Sequence, residues 1–425
     1  MPQIVFTTWG SLGDLHPYLA LGRELQRRGH AVRVATLAAW QENVERAGLA
    51  FAPIRPDVPE GDEAARELIR RVLDTRRGPE YLFKTVFAPH MRETYDDTLA
   101  AVEGADLLVS HQLPVTAPIV AEQTGIAWVS CMLLPMALLS AYDPPTPPQA
   151  PFLRRIAALH PLMARPLLAL GRLAMEPWMA SVYGLRRDLG LARGESPLLG
   201  GQHSPARVLA LFSSVFAQKQ PDFPSQTMVT GFPFYDAADT NPPEEELLRF
   251  LDEGEPPIVF TLGSSAVWIA EDFYQIAIEV AQRLGRRALL LAGESAEALR
   301  PRVPSSIAVF GYAPHSLVMP RASVNVHQGG VGTTAQALRA GRPMLVVPYG
   351  QDQPDNARRC VELGVARTIP RGKFTAARLE REIAPLLSDS SYGVRAADVG
   401  ARISAEHGTE VACDAIEAVL SRSRS

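Results

Sequence analysis

Residues 327–356 read HQGGVGTTAQALRAGRPMLVVPYGQDQPDN, and the reading of the fold starts there. A β-branched run over 324–328 feeds Gly329, Gly330 and Gly332. A helix opens at Thr333 and Thr334 and closes at Gly341, and a second apolar run follows at 344–349. Strand, helix and strand in such short order imply a right-handed βαβ unit with parallel strands. A glycine-rich turn at a helix start presents N–H groups and the positive end of the helix dipole, which is what a diphosphate needs. Glycines admit phosphate oxygens close to the backbone, and Thr333 and Thr334 add hydroxyl donors. His327, at the strand tip, is placed to donate a charge-assisted hydrogen bond to a phosphate. An ordinary βαβ turn with N-capping threonines and a surface histidine has the same local pattern, so the rest of the chain must decide.

Outward from this unit, strand runs alternate with helical stretches in two series. The first lies at 3–7, 31–37, 49–54, 105–111, 127–133 and 208–215; the second at 257–263, 287–293, 307–312, 324–328 and 344–349. Continuous apolar runs such as IVFT, LLLA and MLVV suit parallel strands buried on both faces. The first helix spans 17–28 and ends at Gly29. The expected organisation is α/β: an N-terminal domain at 1–232, a proline- and acid-rich linker at 233–243, a C-terminal domain at 244–408, and a last helix at 409–425. A proline-rich segment at 144–151 precedes a Leu/Ala-rich helical region to about Tyr183, which is either a packing insertion or a wall of an acceptor pocket.

Bulk properties bound the function. The 425 residues carry a net charge of -4, which gives no electrostatic case for nucleic acid or an anionic membrane as partner. Cys131, Cys360 and Cys413 lie too far apart for a short-spaced zinc site and read as reduced, cytoplasmic thiols. The N-terminus runs directly into a strand with no leader pattern. The apolar stretch at 156–175 is broken by His160, Arg165 and Arg172, so no spanning helix is expected, while contact at a membrane periphery stays open. Asp96 and Asp97 read as a solvated helix face, so no catalytic metal and no cofactor are inferred. Gly10 and Gly13 follow a strand as a dinucleotide fingerprint would, but Pro17 stands where the third glycine belongs.

The motifs taken together resemble family 1 glycosyltransferases, the UDP-glycosyltransferase superfamily. Tyr312-Ala313-Pro314-His315, then His327-x-Gly, then Asp352-Gln353 follow the order of that family's nucleotide-sugar signature. GSLGDLHPYLALG near the N-terminus resembles the GxxGD loop of bacterial and sterol members, and TGFPFYD and PIVFTLGSS resemble bacterial rhamnolipid-type rhamnosyltransferases. The resemblance implies a GT-B fold, with two Rossmann-like parallel-sheet domains facing each other across a cleft, the N-terminal one binding the acceptor, the C-terminal one the nucleotide sugar, and the last helix from 409 packing back on the first. It implies inverting transfer of rhamnose or glucose from a dTDP- or UDP-sugar to a small apolar acceptor: a flavonoid, terpenoid, macrolide or hydroxy-lipid.

The resemblance also implies roles. Tyr312 would stack on the nucleobase and Ala313 would meet its edge, with His315 standing where the family has glutamine. Asp352 and Gln353 would bind donor sugar hydroxyls, or else cap the helix before Asn356. Ser264 and Ser265, at a strand's carboxyl end, are donor contacts or a turn. Ala335 occupies a position where many UDP-using relatives carry a ribose-binding glutamate; it suits a deoxyribose donor, although sterol-type members also lack the acid. Asp14 is the first candidate for the base that takes the acceptor's proton, with His16 as alternative; either residue also suits a helix cap. His111, at the end of a later strand, would partner Asp14. The rival readings are a UDP-sugar 2-epimerase of the same fold, a non-catalytic nucleotide-sugar-binding module, and a nicotinamide oxidoreductase.

Overall fold

The computed structural model describes residues 1–59, 61–146, 152–235 and 244–423. These form two compact units. Unit 1 takes the described parts of Met1–Ala65, Arg76–Tyr235 and His407–Ser425; unit 2 takes Arg66–Thr75 and the described part of Asp236–Glu406.

Unit 1 is built on a seven-stranded parallel sheet. Its strands are β1 (Gln3–Thr7), β2 (Ala31–Thr36), β3 (Ala50–Pro53), β4 (Leu107–His111), β5 (Ala127–Met132), β6 (Val208–Ala210) and β7 (Thr227–Val229), in the order β3-β2-β1-β4-β5-β6-β7. Unit 2 carries a six-stranded parallel sheet of β8 (Ile258–Thr261), β9 (Ala288–Leu291), β10 (Ile307–Phe310), β11 (Val324–His327), β12 (Met344–Val346) and β13 (Ala366–Thr368), in the order β10-β9-β8-β11-β12-β13. Five helices matter below: α1 (Leu12–Arg27), α2 (Pro161–Met175), α3 (Val331–Arg339), α4 (Gln353–Glu362) and α5 (Gly408–Ser423).

The central strands form because their residues are apolar on both faces. Ile4, Val5, Phe6, Leu107, Leu108 and Val109 are fully buried, as helices covering both faces of a parallel sheet require. Strands β7 and β13 lie at sheet edges, were absent from the sequence expectation, and have three residues of mixed burial each. Neither carries the apolar run by which a doubly covered strand is read. The strand expected over 208–215 leaves the ladder after Ala210, although Leu211 and Phe212 stay buried.

Both sheets reverse their strand order once, between β1 and β4 in unit 1 and between β8 and β11 in unit 2. At such a point the chain departs in opposite directions from the carboxyl ends of two adjacent strands, leaving a crevice where ligands of open α/β sheets bind.

Two features depart from the sequence expectation. Helix α1 starts at Leu12, five residues before the expected start, so that Pro17 lies inside it. And the helix Asp62–Val72 passes from unit 1 into unit 2, where Leu73 joins the hydrophobic core beside Tyr349 and Phe374, and Gln351 Nε2 donates to the Val72 carbonyl. The expected linker lies outside the described residues from 236 to 243, as does 147–151 of the proline-rich segment. Helix α5 packs on α1 inside unit 1: Cys413, Ile416, Val419 and Leu420 are buried, and Arg28 Nη1 reaches Asp414 at 2.6 Å and Glu417 at 2.7 Å.

Candidate active site

At the unit 1 switch point, Thr7 ends β1 and Ser11 caps α1. The Ser11 hydroxyl accepts from the Gly13 N–H at 3.2 Å, while Asp14 Oδ2 accepts from the Ser11 N–H at 2.8 Å and the Ser11 hydroxyl at 3.0 Å. This reciprocal capping box is what starts α1 early. It occupies one carboxylate oxygen only. The other, Oδ1, lies 3.8 Å from Nε2 of His111, the last residue of β4. Cap and candidate base are thus two oxygens of one side chain.

Gly10 makes the arrangement sterically possible. Its φ is +132°, and a Cβ there would collide with Asp14 Oδ2.

The electrostatics of the pair follow from burial. The Asp14 side chain keeps 28% of its surface accessible, yet desolvation pushes its pKa up to about 6, with the Ser11 hydrogen bonds pulling the other way. His111 is fully buried. Desolvation pushes its pKa down to about 3, the Trp9 backbone offsetting part of the shift, so the ring is neutral. Neither ring nitrogen makes a regular hydrogen bond. Tyr18, one turn beyond Asp14, packs edge-on against the His111 ring at 5.9 Å. A neutral imidazole beside a carboxyl poised near neutrality is chemically able to share one proton with it. His16 points elsewhere: it is half-buried, with its ring 5.2 Å from that of Tyr235.

At the unit 2 switch point, β11 ends in His327 and α3 opens at Val331 with Gly330 as its N-cap and no side chain capping it. The bond from the Thr334 N–H to the Gly330 carbonyl, 2.9 Å, begins the helix, so the N–H groups of residues 331–333 have no intrahelical acceptor. The Thr334 hydroxyl and Gln328 Oε1 are buried without a hydrogen-bond partner. Gly263 backs onto the same turn; a Cβ there would collide with Gln328 Nε2 and approach Thr333 Oγ1 at 3.2 Å. Ser264 and Ser265 follow it, half-buried, at the end of the β8 loop. Gly329, Gly330, Gly332, Thr333 and Thr334 form this helix start, and Gly263, directly before Ser264 and Ser265, packs against it.

His327 is revised by the structure. It is not a surface cation: the ring is fully buried, its Nδ1 accepts from the Gly329 N–H at 3.1 Å, and its Nε2 lies 3.5 Å from Met344 Sδ. Burial, then the nearby His315, pushes its pKa down to about 3. The expected charged donor is a neutral ring that pins the glycine turn.

Gln353 is also partly committed, since its Oε1 accepts from the Tyr349 N–H at 2.7 Å and the Gly350 N–H at 3.3 Å. Asp352 makes no side-chain cap bond. Its Oδ2 accepts from Asn356 Nδ2 at 2.6 Å, and the same amide donates to the Gly329 carbonyl at 2.9 Å. Asn356 was missing from the sequence candidates; its place one helical turn after Asp352 was the available signal. Tyr312 is 47% exposed beyond the edge strand β10, Ala313 is buried, and His315 opens the short helix His315–Val318. Asp96 and Asp97 pair with Arg92 and Arg55. Among the described residues no group of three or more His, Cys, Asp or Glu could hold a metal ion, and no helix is long and apolar enough to cross a membrane.

Known proteins share this plan. A model of the C-terminal domain of erythromycin biosynthesis protein CIII-like proteins matches residues 285–418, and a model of the glycosyltransferase family 28 N-terminal domain matches residues 4–142. The chain is 34% identical to the O-mycaminosyltylonolide 6-deoxyallosyltransferase of Streptomyces fradiae, covering 98% of itself and 97% of that protein. It is 28% identical to a sterol 3-beta-glucosyltransferase of Leptosphaeria maculans over 99% of itself, spanning 29% of that longer protein. In fold it matches the solved glycotransferase of kitacinnamycin (TM-score 0.70, 24% identity, 99% and 100% of the two chains). It also matches the glycosyltransferase VinC solved in complex with DTDP (TM-score 0.68, 20% identity, 99% and 100%). The likeness to the Streptomyces enzyme extends over nearly the whole of both chains, and on that footing the protein belongs to the family 1 glycosyltransferases, the UDP-glycosyltransferase superfamily, as an enzyme of GT-B fold.

Proposed function

We propose that the protein transfers a 6-deoxy sugar such as rhamnose, with inversion, from a dTDP-linked donor to a hydroxyl of a macrolide-like apolar acceptor, needing neither metal ion nor cofactor. The observation that carries the mechanism is the Asp14–His111 pair: a carboxyl with one oxygen held by Ser11 and the other turned to a buried neutral imidazole. Asp14 Oδ1 takes the proton of the acceptor hydroxyl as that oxygen bonds to the anomeric carbon. The bond from that carbon to the diphosphate breaks, and the nucleoside diphosphate leaves with the electron pair. The growing charge on the diphosphate is met by the N–H groups at the start of α3, a positive dipole end acting where a metal otherwise would. His327 and Asn356 hold the turn that presents them.

The donor reading draws on three supports. The Streptomyces relative is named for a 6-deoxyhexosyl transfer. VinC, of the same fold, was solved with DTDP. Ala335, buried on α3, offers no carboxylate to a ribose 2′-hydroxyl. The macrolide-like acceptor follows the first relative's name, and the sterol enzymes support an apolar polycyclic one.

Turnover after exhaustive EDTA treatment tests the metal-free reading, and Asp14→Asn beside His16→Ala tests the base. Activity should survive the chelator, Asp14→Asn should lose at least about a hundredfold, and His16→Ala should cost less. Loss on chelation with rescue by Mg²⁺, or an inactive His16→Ala beside an active Asp14→Asn, overturns the mechanism.

A further inference from the structure

Unit 1 carries a cluster of large exposed apolar side chains over residues 152–175. Helix α2, the short helix Leu153–Ala157 before it and the residues that flank and join them (152–175) hold most of the large exposed apolar side chains among the described residues, including Leu159 at 73%, Leu162 at 65%, Leu170 at 64% and Leu173 at 70%. On α2 the pattern is regular. Leu162, Pro166, Ala169 and Leu173 recur at spacings of four, three and four, which lines them along one face, and all four are exposed. The opposite face is the one that folds: Ala164 is fully buried in a small cluster with Ala141 and Ala157, and Leu167 and Leu168 pack against it. Isolated exposed leucines are unremarkable in a soluble protein, but a stripe of them rimmed by charge marks a binding face.

The rim has one sign. Residues 152–175 contain Arg154, Arg155, Arg165 and Arg172 and no aspartate or glutamate, in a chain whose net charge is -4. Arg165 and Arg172 are seven residues apart, so both stand along the same flank of the stripe, and both are exposed.

We infer that α2 and the helix before it form a docking face for an anionic lipid bilayer, α2 lying in the plane of the interface. The leucines would enter the boundary between headgroups and acyl chains, while the arginines on the flank keep their guanidinium groups at the level of the phosphates. A second copy of the chain is the poorer occupant, because a two-fold pairing of this face would set arginines against arginines, and the acid nearest in sequence, Glu176, is already held by Arg193 and Tyr183. The inference rests on this surface and not on the assignment of donor or acceptor. It supplies a route by which an enzyme with no spanning helix among its described residues meets apolar acceptors dissolved in a membrane.

Co-sedimentation of the whole protein with large unilamellar vesicles tests it, comparing pure phosphatidylcholine with vesicles holding roughly 30% phosphatidylglycerol. Anionic vesicles should raise partitioning at least about tenfold, and salt should reverse much of the gain. Leu162→Gln with Leu173→Gln, and separately Arg165→Gln with Arg172→Gln, should each lower partitioning at least about tenfold. Glutamine keeps the helix, and an unchanged circular dichroism spectrum and melting temperature show that the fold survives. Equal binding of wild type and both double variants overturns the inference, as does absence of vesicle binding. So does a concentration-dependent dimer in light scattering that the leucine variants abolish.

Discussion

Under the proposed mechanism Asp14 carries two jobs, cap and base, whose energetics oppose each other. Its pKa is raised from 3.8 to about 6 by burial, so the fold disfavours the charged form. That cost is absent below about pH 4, grows between pH 4 and 6, and is complete above pH 6, where it amounts to up to about 3 kcal/mol. Asp14→Asn keeps the Ser11 cap and cannot charge. It should melt higher than wild type at pH 8 and level with it near pH 4, while its turnover is lost; a lower melting temperature at pH 8 would contradict the desolvation argument. In wild type, turnover at saturating donor should rise through about pH 6 as the carboxyl ionises. Gly10→Ala probes the same geometry, since the added methyl must displace Asp14 Oδ2; it should abolish most activity while calorimetric dTDP affinity stays near wild type. Asn356 is the corresponding residue of the donor side. Asn356→Ala frees both Asp352 and the Gly329 carbonyl, and each bond lost from this buried amide costs about 1–3 kcal/mol. Donor KM should rise by one to two orders of magnitude, and an unaltered KM in a folded variant would remove Asn356 from the site.

Among the elements, α5 shows how a helix distant in sequence stabilises the first unit. Burial alone would raise the Glu417 pKa, but His30 and Arg28 hydrogen-bond its carboxylate and hold it lowered. The stabilisation is therefore full above the ordinary carboxylate range and lost as pH falls through the lowered value. Arg28→Ala breaks contacts to Glu24, Asp414 and Glu417 at once, on a side chain that is only 18% exposed. It should destabilise unit 1 by about 1–2 kcal/mol at neutral pH, seen as a lower denaturant midpoint. The loss should shrink on acidification, and a pH-independent loss would assign the effect to packing alone. Helix α1 carries the opposite lesson about legibility. Ser11-Leu-Gly-Asp14 is a capping box in plain view, yet Pro17 drew the expected helix start to itself, because proline favours a first turn and only the geometry shows that the cap lies earlier.

For the whole molecule the choice of donor is the sharpest open consequence. Competition calorimetry of dTDP against UDP should favour dTDP, and a clear preference for UDP would return the reading to a glucosyl donor of the sterol type.

The sequence by itself determined the two parallel α/β series, the order of their central strands along the chain and the glycine turn, because buried parallel strands must be apolar on both faces and a phosphate turn must contain glycine. It also placed His111 at a strand end and Asp14 close after the first strand. Tertiary structure decided the rest. The three-residue edge strands β7 and β13 exist only by pairing with a neighbour, so no local run announces them. That Leu73 packs into unit 2 depends on a core assembled from residues beyond 257. Protonation states were likewise out of reach, since His327 and His111 are neutral because of burial, and burial belongs to the packed molecule, not to the letters of the chain.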